Sequence, residues 1–182
     1  MDEKQIEKAL VARLRDANSK SLRGFVISGS TSDAKNLGEL IGDRRFEIFE
    51  DNNAFNPYPK FMIDIFGGLI PDIGLRSSES SQNRIYIEVK LRGRLNYGVV
   101  DSQIVRYFLQ LLSSTAKIPE GASDIRRATL LAAPSEWFRD KKNWDTWQYF
   151  LDKYTDIAQH FDVTLGKLEI DNLLEALSSQ QS

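Results

Sequence analysis

The chain has 182 residues, 41% of them hydrophobic and 27% charged, which suits one globular domain with a core of its own. It has no cysteine and a single histidine, His160, which excludes disulfides, thiolate zinc sites and multi-histidine metal centres, so any metal needs oxygen ligands. A net charge of −2 excludes a global attraction to nucleic acid, so basic groups have to act as local patches.

Residues 2–17 predict an amphipathic helix, with Ile6, Leu10 and Leu14 at helical spacing and Val11 beside them. The opening MDEKQIEKALVARLRD alternates charge with apolar residues, unlike a secretory signal, and no run reaches the roughly 18 apolar residues of a membrane span. With cysteine absent, the expected location is cytoplasmic and no membrane partner is expected. GFVIS at 24–28 reads as a short strand, and SDAKNLGELIG at 32–42 as a short helix capped by Ser32 or Asp33. EDNNAFNPYPK at 50–60 is a loop, because Pro57 and Pro59 forbid regular structure. A three-strand meander is then expected: KFMIDIF at 60–66, a GG turn, LIPDIGLR, the loop SSESSQN at 77–83, and RIYIEVKL at 84–91. VVDSQIVRYFLQLLSST reads as a helix, ATLLAAP at 128–134 as a buried strand, and SEWFRDKKNWDTWQYFLDKYTDIAQHF as one or two helices. DVTLGKLEI adds a last edge strand or a turn. One domain over 1–177 is expected, followed by a frayed tail at 178–182. The fold class is α/β, with a central mixed sheet flanked by helices.

Strand alternation in RIYIEVKL sends Ile85, Ile87, Val89 and Leu91 to one face and Tyr86, Glu88 and Lys90 to the other. A hairpin closing through SSESSQN brings Asp72 beside Glu88. Two converging carboxylates are costly unless a cation neutralises them, and a divalent ion with carboxylate and water oxygens does so. Lys90 beside them would activate or orient a water, or stabilise charge building on a phosphate. Taken singly, Asp72 is a turn residue after proline, and Glu88 and Lys90 are a weak ion pair on a solvated face. Their joint arrangement favours chemistry.

Pro71-Asp72 followed by Glu88-Val89-Lys90 resembles the PD-(D/E)XK nuclease superfamily, whose motif sets P-D and D/E-x-K on adjacent strands. Gln103-Ile104-Val105-Arg106-Tyr107 is similar to the Q-x-x-x-Y motif of its RecB-like branch, with Gln103 and Tyr107 on one side of a helix. The resemblance implies a restriction-endonuclease-like αβββαβ core and a magnesium-dependent nuclease acting on DNA, with manganese as a substitute ion. It implies metal binding by Asp72, Glu88 and the backbone carbonyl of Val89, and water positioning by Lys90. Gln103 and Tyr107 would contact substrate or steady the site. A glutamate of the first helix often approaches the metal in this family; Glu7 is the candidate, with Glu3 next and Glu39 third. The Q-x-x-x-Y likeness favours end processing, within recombination, repair, phage or defence systems, and a homodimer or larger complex would supply much of the grip on DNA. The alternative is a non-catalytic nuclease-fold subunit that binds nucleic acid or a protein partner.

Asp64, an acid inside a strand, either joins the site or faces solvent, and the solvent-facing reading is preferred. Arg44-Arg45, Arg126-Arg127 and Lys141-Lys142 read as solvated surface, whereas Arg92 and Arg94 emerge beside the expected site. Trp137, Trp144 and Trp147 read as core or partner surface, and His160 as ordinary.

Overall fold

The computed structural model describes residues 2–16, 22–42, 46–49, 71–77, 83–95, 102–113 and 126–179. Helix α1 (Glu3–Arg15) is opened by a capping box in which Asp2 and Gln5 each accept the other's backbone N–H. It buries Ile6, Leu10, Val11 and Leu14. Strand β1 (Ile27–Ser28) and helix α2 (Leu37–Ile41) follow. The cap of α2 is Asn36, whose side chain accepts from Glu39 N, so the helix starts later than Ser32 or Asp33 would set it. The residues before Asn36 instead return beside β1, where Val26 bridges Asn36 and Ile27 N–H donates to Lys35 O.

β2 (Phe46–Phe49), β3 (Ile73–Ser77) and β4 (Arg84–Val89) form an antiparallel meander. β2 was not expected, because its apolar alternation spans only four residues between polar flanks. The expected strand at 60–66 with Asp64, the loop at 50–60, the glycine turn, and Arg44 and Arg45 lie outside the described residues. Helix α3 (Gln103–Ser113) crosses to β5 (Arg127–Ala133), which runs parallel to β4. Two helices come next, α4 (Ser135–Arg139) and α5 (Lys141–His160), the second capped by Asp140. β6 (Val163–Glu169) and α6 (Asp171–Ser179) end the described chain. Helix α6 takes in Ser178 and Ser179 from the segment read as a frayed tail.

The six strands form one mixed sheet in the order β1-β6-β5-β4-β3-β2. β6 is therefore an interior strand rather than an edge, covered by β1 from far back in the sequence. One core lies under α1, α2 and α6 and takes Ile85, Ile87 and Val89 from β4. The other lies under α3, α4 and α5 and takes Tyr86 from the opposite face of that strand. The Tyr86–Glu88 face of β4 is thus fully roofed: both side chains have 0% exposure, against the half-solvated face that their polarity alone describes.

Arg127 is also buried, not solvated. Its guanidinium donates to the carbonyls of Leu111 and Phe161, at the C-terminal ends of α3 and α5. Gly166 on β6 has no room for a side chain, since an added Cβ would stand 2.9 Å from Ile27 Cγ2. Gly166→Ala is therefore expected to prise β1 from β6 and destabilise the fold by about 1–3 kcal/mol. A lowered urea midpoint with an unchanged slope would show it.

Candidate metal and catalytic site

The pairing of β3 with β4 sets Ile73 opposite Ile87, and one further step sets Asp72 opposite Glu88. Directly opposed residues of an antiparallel pair project to the same face. Pro71 has no N–H and ends the regular ladder here. Val89 N–H, which faces β3, donates to Asp72 Oδ2 at 2.7 Å instead of to a backbone carbonyl. The proline–aspartate pair is thus a device that stops a strand and uses the released N–H to aim a carboxylate.

Glu88 is held from two sides. Lys90 Nζ donates to its Oε1 at 2.5 Å, and Tyr107 Oη donates to its Oε2 at 3.2 Å. Tyr107 is buried on α3, its ring 5.7 Å from that of Tyr86. Gln103 opens α3 one turn earlier and is half-buried. The glutamate that the structure brings to this cluster is Glu3, one turn ahead of Glu7. Its Oε1 accepts from Leu91 N at 2.8 Å, and its charge acts on both Asp72 and Lys90. Glu39 serves elsewhere, accepting from Lys35 N and Asn36 Nδ2 next to its own helix cap.

The turn leaving β4 is braced. Gly93 O accepts from the Trp137 indole N–H at 2.7 Å, and a Cβ at Gly93 would lie 3.5 Å from Lys90 Cδ and 3.8 Å from Glu3 Oε1. No sequence motif marks Trp137 for this. Arg92 and Arg94 are exposed beside the same turn.

Electrostatics follows from burial. Desolvation raises the Glu88 carboxyl to about 7, Asp72 adds to the rise, and Lys90 and Tyr107 offset only part of it. Burial also raises Asp72, against the opposing pull of Val89 N–H and Lys90 and of a hydrogen bond from the Glu88 carboxyl. Both carboxyls therefore hold a proton to higher pH than free acids do when no cation lies between them. Burial alone would lower Lys90, but Glu88, Asp72 and Glu3 outweigh it and hold the ammonium protonated. Burial and the Glu88 charge raise Tyr107, which stays a neutral donor.

Among the described residues, no group of three or more His, Cys, Asp or Glu side chains could hold an ion by itself. The donor set nevertheless suits magnesium, which is commonly bound by one or two carboxylates with waters and phosphate oxygens completing the octahedron. Lys90 and Tyr107 take two of the four or so lone-pair directions of Glu88, which leaves others for a cation. Among the described residues, no helix is long and apolar enough to cross a membrane.

Comparison with protein-family models, curated proteins and solved structures gives no match to this chain. The functional reading rests on the geometry.

Proposed function

We propose that this chain is a divalent-metal-dependent nuclease that hydrolyses DNA phosphodiester bonds, of the PD-(D/E)XK type. One observation carries the reading: half-buried Asp72, just before β3, stands level with buried Glu88 on β4 and raises it, with the Lys90 ammonium on Glu88. A pair of carboxylates left in this state destabilises the fold, and a cation relieves it. The order of a helix, an antiparallel meander, a helix and a parallel strand agrees with the core that the motif implies.

In this proposal Asp72, Glu88 and the Val89 carbonyl hold magnesium or manganese, and Glu3 adds negative charge behind them. The ion, when bound, supplies charge neutralisation at the scissile phosphate and orients the attacking water. In this proposal Lys90, an ammonium on Glu88 in the metal-free protein, donates to that water or to a phosphate oxygen. Tyr107 fixes the Glu88 carboxylate through its Oε2, and Gln103 faces substrate from the preceding turn. Arg92 and Arg94 take flanking phosphates. A homodimer or a larger assembly supplies the remaining grip on DNA in a cytoplasmic setting.

The rival reading, a non-catalytic nuclease-fold subunit, draws on one feature: Lys90 and Tyr107 already engage both oxygens of Glu88. Labelled single- and double-stranded DNA, linear and circular, incubated with magnesium, manganese or EDTA, decides between them. Cutting that needs the metal is the expected result, and circular substrate separates internal from end cutting. No cutting of any substrate favours the subunit.

A further inference from the structure

The register of the sheet extends the site sideways. Glu88 on β4 lies opposite Leu131 on β5, and Leu131 opposite Lys167 on β6. Lys167 is thus in the same row as Glu88 at two strand spacings, roughly 10 Å away. Laterally paired residues share a face, so Lys167 projects toward the α4–α5 side, as Glu88 does. There its Nζ lies 4.7 Å from the centre of the Phe138 ring and 5.3 Å from that of Trp144. Among the described residues it has no ion-pair partner.

Several acids of the adjoining elements have other partners. Asp140 caps α5 through Lys142 N and Asn143 N, Asp145 pairs with Lys141, Asp171 accepts from Ser135, and Glu169, two residues along β6, accepts from Ser28. Gly29, with φ +54°, lies against the Lys167 stem, where a Cβ would meet Lys167 Cε at an ordinary 3.5 Å. Of the three tryptophans, Trp137 and Trp147 are buried, whereas Trp144 is 40% exposed. The corner is also joined to the candidate site. Phe138 packs edge-on against Trp137 at 4.9 Å, and Trp137 holds the Gly93 carbonyl beside Lys90.

We infer that Phe138, Trp144 and Lys167 form a subsite for a single-stranded stretch of DNA, Trp144 stacking on a base and Lys167 meeting the adjoining phosphate. This rests on the nuclease reading and narrows its substrate to unpaired strands. An exposed indole beside a cation with no carboxylate partner among the described residues matches what single strands offer, a π-face and an anionic backbone. A paired duplex keeps its bases stacked inside and has no free face for Trp144.

The test is binding of labelled single-stranded and duplex oligonucleotides in EDTA, followed by fluorescence anisotropy and by tryptophan emission. The wild type is expected to favour the single strand and to show quenched emission on binding. Trp144→Ala is expected to weaken single-strand binding by about tenfold and to remove the quenching. Trp144→Phe keeps a stacking ring, so it is expected to bind nearly as the wild type does but without quenching. Lys167→Gln is expected to weaken binding and reduce its salt dependence. Unchanged single-strand affinity in Trp144→Ala, equal losses on both substrates, or no binding by the wild type would each overturn the subsite. Because cleavage plays no part in this assay, a protein that binds as expected but never cuts DNA with magnesium overturns the nuclease reading and leaves the subsite standing.

Discussion

Glu88→Gln is expected to stabilise the metal-free protein at pH 8 by on the order of 3 kcal/mol, and to abolish cleavage. Glu88 has a pKa raised from 4.5 to about 7 in the folded chain. Between those values the folded protein keeps a proton that the unfolded chain has released, so stability falls as pH rises through this window. Above pH 7 the full cost of the buried charge is present, and the amide removes it. Below pH 4.5 the carboxyl is neutral in both states and the substitution changes little. Urea unfolding in EDTA should therefore give matching curves near pH 4 and a clear gain for the variant at pH 8. Magnesium should then raise the stability of the wild type more than that of the variant, because binding to the folded state alone stabilises it. A variant no more stable than the wild type at pH 8 would show that the Glu88 charge is not strained.

Lys90→Ala is expected to slow metal-dependent cleavage by about a hundred- to a thousandfold, the usual cost of removing one aimed donor at a developing charge. The ammonium lies within 2.5 Å of Glu88 Oε1 and near Asp72, so it competes with a divalent ion for the same oxygens. Its removal is therefore expected to tighten magnesium binding while cutting fails. That opposed pair of effects separates Lys90 from the ligands, whose loss weakens both. The variant should still fold, because Glu88 answers the loss of its partner by holding its proton more tightly. Calorimetric magnesium affinity and single-turnover cleavage of the same preparations provide the comparison. Cleavage at the wild-type rate would remove Lys90 from the chemistry.

The acid pair was legible because strand alternation has a period of two: once β3 and β4 pair, Glu88 and Lys90 follow from the pattern and Asp72 from the register. Which helical glutamate joins them was not legible. Glu3 and Glu7 share a face of α1, and only the meeting of the helix start with Leu91 N–H selects Glu3. Arg127 looked like surface because a charged side chain carries no mark of the helix-end carbonyls that will surround it. The interior place of β6 depends on pairing with β1, more than 130 residues earlier by position (Ile27 with Leu168), and no local pattern encodes it. Trp144 and Trp147 are equally aromatic in the sequence. Their different exposure follows from the turn of α5 that faces α3 and the sheet.

The measurement that bears most directly on Asp72 and Glu88 as a cation site is calorimetric titration of magnesium, then manganese, into the wild type and Asp72→Asn near pH 7. The wild type should bind with saturable heat that varies with the ionisation enthalpy of the buffer, because the ion displaces the proton that Glu88 partly retains near pH 7. Asp72→Asn should lose most of that affinity. No saturable binding by the wild type, or equal binding by both proteins, would contradict a metal site at this pair.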